Sequence, residues 1–302
     1  MGEKYKVAFI GSGIIGSGLA VNALMHGYPA FLQTRSQVEK MKGRVAGILD
    51  LFVENKVCIR EEADAAAALA TYTTSIGEAV TGAKFIQESG PERLEVKREL
   101  YAQIEEFCPE NAVIGSSTTA LLPSDLQEGA KHPERILVGH PYHPSYLLPL
   151  VELCGGKQTS MDCVKEAVDF YRSIGKLALV SKKEAPGFIV NRASWAAFGE
   201  AKKTVLEGFC TVEEMDKALM FGPGMRMAIT GQLLTISLGI EGGMKAQAEK
   251  YGMEQSPDDL IIADGVEAEL AARPPEIGNT EETVSAFRDK VIIEILRLQN
   301  MI

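Results

Sequence analysis

Apolar and polar positions in the first half of the chain alternate between two textures. Residues 6–11 (KVAFIG) form a continuous apolar run, as a strand buried on both faces should. Residues 14–27 (IIGSGLAVNALMHG) then repeat apolar side chains at helical spacing and stop at Gly27. A second strand is predicted over 30–34 (AFLQT) and a long helix over 38–55. Further strands are predicted over 84–89, 112–117, 135–140 and 177–182, with helices over 92–107 and 161–174, and the Ala-rich stretch 62–70 reads as an ordinary helix. Strands separated by helices predict an α/β fold, a doubly wound Rossmann-type parallel sheet.

Past the sequence KKEAPGF the texture changes. From about residue 188 to 302 nearly every segment reads helical, with breaks expected at Gly222-Pro223, Gly242-Gly243 and Pro274-Pro275. Pro186 interrupts regular structure, so the expected division is a dinucleotide-binding domain over 1–184 and an all-helical substrate and dimerisation domain over 185–302. The helix expected over 190–206 is rich in Ala, Phe and Trp, more apolar than a small domain needs, which predicts a homodimer.

Composition narrows the class only slightly. At 302 residues, with 46% hydrophobic and 24% charged residues, the chain has ample material for two domains. No window approaches a membrane span, and the first residues run directly into a strand, so a cytoplasmic protein is expected. Five scattered cysteines without a C-x-x-C pair suggest neither a disulfide framework nor a zinc site. A net charge of −10 argues against nucleic acid or anionic membrane as partner, while leaving room for a small anionic substrate.

The sequence GSGIIG places glycines at 11, 13 and 16 directly after the first strand and at the start of a helix. In a dinucleotide site such glycines serve a tight turn, close approach to pyrophosphate and close helix–strand packing. Gly11, Gly13, Ile14, Ile15 and Gly16 are therefore candidate cofactor residues, with helix N–H groups facing the phosphates. The second strand ends Gln33-Thr34-Arg35-Ser36, without the acid that accepts from the ribose 2′-OH in an NAD site. Thr34 and Arg35, with Ser36, instead suit a 2′-phosphate, so the expected cofactor is NADP or NAD with a lean to NADP. A solvated arginine after a strand is the competing reading.

Residues 139–156 (GHPYHPSYLLPLVELCGG) set His140 twelve residues before a lone Glu152, among Pro, Tyr, Leu and Val. A carboxylate in apolar surroundings needs a partner, and an imidazole oriented by a carboxylate is a proton-transfer device near neutral pH. With a nucleotide loop on the same chain, the pair suggests a dehydrogenase.

Taken together, GSGIIGSG, ESGPERLEVKREL, GSSTTALLPSDL, GHPYHPSYLLPLVEL, APGFIVNR and GPGMRMAITG make the chain resemble the 3-hydroxyacyl-CoA dehydrogenase superfamily over nearly its whole length. The likeness is strongest to the branch containing L-gulonate 3-dehydrogenase (lambda-crystallin) and L-carnitine dehydrogenase. The resemblance implies that His140 is the catalytic histidine, Glu152 its orienting acid and Asn191 an active-site asparagine. It places Thr119 where the family usually has a serine that contacts substrate, and Glu92 and Lys97 at positions lining the nicotinamide ribose. His143 stands where the family commonly has asparagine.

Arg226 is the one charge between Gly222 and Gly239. Such a guanidinium either receives the substrate's carboxylate or pairs with a protein carboxylate. Within the resemblance it points to the branch acting on small acids. Lys40, Lys42, Arg44 and Lys56 lie where the branch using CoA thioesters carries basic residues, although four basic residues interleaved with acids are also an ordinary solvated face. The expectation is an oxidoreductase for a small 3-hydroxy acid, with an acyl-CoA, or a non-catalytic NAD(P)-binding structural or sensing role, as alternatives.

Overall fold

A single eight-stranded sheet dominates the computed structural model, which describes residues 4–11, 13–246 and 256–302. Its strands are β1 (Val7–Ile10), β2 (Ala30–Gln33), β3 (Ala70–Thr73), β4 (Phe85–Glu88), β5 (Val113–Ser116), β6 (Ile136–Pro141), β7 (Leu150–Gly155) and β8 (Leu177–Val180). They lie in the order β3-β2-β1-β4-β5-β6-β7-β8. The chain therefore reverses its winding between β1 and β4, and a ligand crevice forms outside the carboxyl ends of strands at such a switch point.

The helices of this unit are α1 (Ile14–Met25), α2 (Val38–Glu54), α3 (Arg60–Ala68), α4 (Ile76–Val80), α5 (Leu94–Glu105), α6 (Pro123–Leu126) and α7 (Met161–Ser173). β1 is buried on both faces because alternate side chains enter different cores. Val7 and Phe9 join one cluster with Leu19, Met41 and Phe170, while Ala8 and Ile10 join another with Ile86, Leu100 and Tyr101.

Two strands escape the apolar-run criterion. β3 (ATYT) is only partly buried, and β7 (LVELCG) carries Glu152 in its middle. The expected parallel sheet is observed at every ladder but one, where β7 runs antiparallel to β6. The connection between them, residues 142–149, holds no helix. A parallel crossover needs a dozen or more residues, so a link this short can only join antiparallel neighbours.

The first compact unit ends at Ala196, within α8 (Val190–Leu206), and Ala197–Ile302 form the second. After α8 come α9 (Val212–Leu219), α10 (Met225–Thr230), α11 (Gln232–Ser237), α12 (Pro257–Ala272) and α13 (Glu281–Leu298). Leu234, Val266 and Val284 form this unit's buried cluster. Gly222-Pro223, expected as a break, lies instead inside a π-helical turn over 220–224 that leads from α9 to α10. Pro223 has no N–H to offer the preceding turn, and the wider π winding accommodates its ring. Between Phe198 and Leu219 large side chains stay exposed, among them Phe198, Leu206, Phe209 and Val212, and no residue of α8 or α9 is buried.

Candidate active site

Loops at the carboxyl ends of β1, β2 and β4 enclose a cleft of about 1080 Å³. Gly11 adopts φ +74° there, and a Cβ on it would lie 2.9 Å from the Gly90 nitrogen and the Ser89 oxygen. Only glycine fits such a turn without strain. Gly13 is the opposite case: an added Cβ would meet nothing closer than the Gly11 oxygen at 3.9 Å, so its backbone is open to a ligand. Gly16 brings α1 close to Ser89, and Ile14 and Ile15 form the helix's first turn, where no side chain caps the free N–H groups. This is the donor set a pyrophosphate requires. Ser12 lies outside the described residues.

Thr34, Arg35 and Ser36 line the same cleft, together with Arg44 from α2. Arg44 was legible only as one of several basic residues; the helix start at Val38 turns it toward the nucleotide end. Gln33 ties the loops together, accepting from the Gly11 N–H at 3.3 Å and donating to the Thr74 carbonyl at 3.1 Å.

At the end of β4 the buried Glu88 accepts from Lys97 Nζ at 2.8 and 2.9 Å, the Gly90 N–H at 2.6 Å, the Ser116 hydroxyl at 2.7 Å and the Tyr101 phenol at 3.1 Å. Lys97, expected at the nicotinamide ribose, is itself buried on this carboxylate and reaches Glu92 only at 3.8 Å. Glu92 holds the turn after β5, accepting from the Thr118 hydroxyl at 2.5 Å and the N–H groups of Thr119 and Ala120 at 2.8 and 3.2 Å. The Thr119 carbonyl accepts from Asn191 Nδ2 at 3.3 Å, so the loop after β5 and the start of α8 meet at these two residues.

His140 and Glu152 face each other across the β6–β7 ladder, with Nδ1 3.4 Å from Glu152 Oε2 and both side chains buried. Oε1 accepts from the backbone N–H groups of Ile189 and Val190, each at 2.9 Å. Gly187 (φ +78°) and Phe188 (φ +48°) turn the chain so that these two N–H groups point at the carboxylate. Tyr142, which the sequence reading passed over, donates its phenol to Oε2. Burial pushes the Glu152 pKa up, but the bonds from His140, Tyr142, Val190 and Ile189 outweigh it and leave the group below its ordinary range. The imidazole is thus held with Nδ1 toward a firm anion, leaving Nε2 for chemistry. His143 is exposed on the turn. Arg226 is exposed on α10 of the second unit, and among the described residues no carboxylate pairs with it.

Residues 6–185 match the family described as 3-hydroxyacyl-CoA dehydrogenase, NAD binding domain, and residues 187–276 match the corresponding C-terminal domain. The L-carnitine dehydrogenase of Nocardiopsis dassonvillei is 38% identical over 96% of this chain and 90% of its own length. That of Pseudomonas syringae pv. syringae is 40% identical over 81% of this chain and 77% of its own. Among solved structures, 3-hydroxybutyryl-CoA dehydrogenase from Escherichia coli superimposes with a TM-score of 0.69 at 26% identity, over 87% of this chain and 57% of that one.

Proposed function

The chain belongs to the 3-hydroxyacyl-CoA dehydrogenase family and is a nicotinamide-dependent dehydrogenase acting on a CH–OH group; on that premise we propose a small free 3-hydroxy acid as its substrate and His140 as its acid–base. The carrying observation is the buried His140–Glu152 pair, joined through Glu152 and the Val190 N–H to Asn191 and Thr119. Gly11, Gly13, Ile14, Ile15 and Gly16 would hold a nicotinamide dinucleotide, which would supply the hydride acceptor or donor. His140 Nε2 takes the hydroxyl proton in oxidation and returns it in reduction. Glu152 fixes the Nδ1–H tautomer and stabilises the imidazolium. Thr119 and Asn191 hydrogen-bond the substrate oxygen as charge develops on it. Glu92 and Lys97 would support the nicotinamide-ribose wall indirectly, Glu92 by holding the 118–120 turn and Lys97 by fixing Glu88.

Three finer assignments go with this reading. NADP is preferred over NAD, since Arg35 and Arg44 bring positive charge to the end of β2 and the segment Gln33–Gln37 carries no acid, although Glu78 lines the same cleft. Arg226 receives the substrate's carboxylate, in a chain divided functionally into 1–184 and 185–302; the 34–40% identity to L-carnitine dehydrogenases favours a free acid over an acyl-CoA. The exposed apolar side chains of α8 and α9, around a groove lined by Phe198, Val205, Leu206 and Met215, serve a homodimer of a cytoplasmic protein. Among the described residues no helix is long and apolar enough to cross a membrane.

The test is a panel of 3-hydroxy acids, including carnitine, gulonate and 3-hydroxybutyryl-CoA, followed by reduced-nicotinamide absorbance with both coenzymes. Turnover of a free acid supports the reading; turnover of the thioester alone transfers the site to acyl-CoA. Binding of NADPH without any turnover leaves a sensor.

A further inference from the structure

We propose that Tyr142 is a positioning residue of the His140–Glu152 pair, its phenol sharing Glu152 Oε2 with the imidazole and so dividing the carboxylate's charge between them. The inference rests on the reading of His140 as the acid–base.

The geometry follows from strand alternation. His140 and Tyr142 are two residues apart where β6 ends, which sends both side chains to one side of the sheet, and Glu152 stands opposite His140 on β7. Glu152 Oε1 is taken by the Ile189 and Val190 N–H groups. Oε2 has two claimants, and the phenol is the nearer one; the imidazole Nδ1 sits at 3.4 Å, near the outer limit of a hydrogen bond. Burial first, then the bond to Glu152 and its charge, raise the Tyr142 pKa far above its ordinary value, so the phenol remains a donor at any working pH.

A carboxylate that serves four donors has less negative charge to offer any one of them. Removing the phenol hydroxyl returns that share of the carboxylate to the imidazole. The start of α8 contributes backbone N–H groups, Phe188 contributes an apolar ring 6.1 Å from the imidazole, and Thr119 and Asn191 are neutral. On β7 the remaining titratable group is Cys154, with Glu184 near it; burial pushes that thiol up to about 11, and it stays uncharged. The Tyr142 ring also lies 4.6 Å from the imidazole, so packing and hydrogen bonding must be separated by experiment.

Tyr142→Phe keeps the ring and removes the hydroxyl; Tyr142→Leu removes both. The imidazole of His140 is titrated by NMR in the cofactor-free chain, its signal assigned by loss in His140→Asn, so the readout needs no turnover. Tyr142→Phe is expected to raise the His140 midpoint by about half a unit to one unit, the scale of the net worth of one ordinary hydrogen bond. The acid limb of kcat/KM for oxidation, where neutral imidazole is the base, should move up by the same amount. An unchanged midpoint in Tyr142→Phe overturns the inference, and so does a shift seen only in Tyr142→Leu, which would make the residue a packing wall. Persistent turnover in His140→Ala would instead remove the proposed mechanism, a result the NMR titration does not depend on.

Discussion

His140 and Glu152, twelve residues apart in the chain, are direct register partners across the antiparallel β6–β7 ladder. Side chains opposite each other on such a pair stand on the same face with Cβ atoms about 5 Å apart. The dyad is therefore built into the sheet rather than borrowed from a loop. Its carboxylate is tied in turn to the first residues of α8, so strand register fixes the imidazole against the helix start that carries Asn191.

Replacing His140 by Ala removes the proposed acid–base without touching the cleft lined by Gly11 and Gly13. Turnover should fall by about 10²-fold or more, the scale of lost general acid–base catalysis. Cofactor affinity, followed by nicotinamide fluorescence, should stay unchanged.

On the proposed reading, the two arginines of the cleft separate the coenzymes. Arg35→Ala and Arg44→Ala should each weaken NADPH by about tenfold or more, the 1.5–3 kcal/mol scale of a lost charge-assisted hydrogen bond, and leave NADH nearly as before. Equal losses for both coenzymes would assign these side chains to the shared pyrophosphate or to the surface. Titration of each variant with the two reduced coenzymes decides between these outcomes.

Gly11→Ala forces a Cβ against the Ser89–Gly90 backbone at a left-handed φ. The strain should cost about 1–3 kcal/mol in denaturant unfolding, and the displaced loop should lose dinucleotide affinity in the same titrations.

Lys97→Met strands the Glu88 carboxylate in the interior. Breaking one partner of a buried pair costs about 3–5 kcal/mol, whereas Glu88→Gln with Lys97→Met should recover much of the loss because no charge remains unpaired. Urea unfolding of the two variants measures the difference.

Lys176 is buried with no carboxylate paired to it among the described residues, its ammonium donating to the Ser145 and Leu148 carbonyls at 2.6 and 3.0 Å, and burial lowers its pKa to about 8. Between about pH 8 and the ordinary lysine value the unfolded chain binds more protons than the folded one, so stability should rise with pH across that window. Lys176→Met should lose that rise, which unfolding curves taken at several pH values would show. The same slope in both proteins would assign it to other groups.

Much of the fold was legible in local pattern. KVAFIG, AFLQT and AVIGSS are apolar runs that only a doubly buried strand explains, and GSGIIG follows the first of them in the one context where its glycines have a phosphate to meet. The helix over Val190–Leu206 was equally plain from its spacing. β7 was not, because a charged residue in mid-strand breaks the apolar signature, and β3 was not, because it is only partly buried. Tyr142 went unremarked although it follows His140 at the strand period; without knowing that β6 extends to Pro141, that spacing carries no direction.

By itself the sequence determined the residue types of the site, the nucleotide loop and the alternation that produces the sheet, since each depends on neighbours within a few positions. Tertiary structure alone decided that Lys97 spends its charge on Glu88, that Arg44 joins Arg35, and that Tyr142 shares a carboxylate with His140. Those pairings depend on which face of one element meets another, and no local periodicity encodes that meeting.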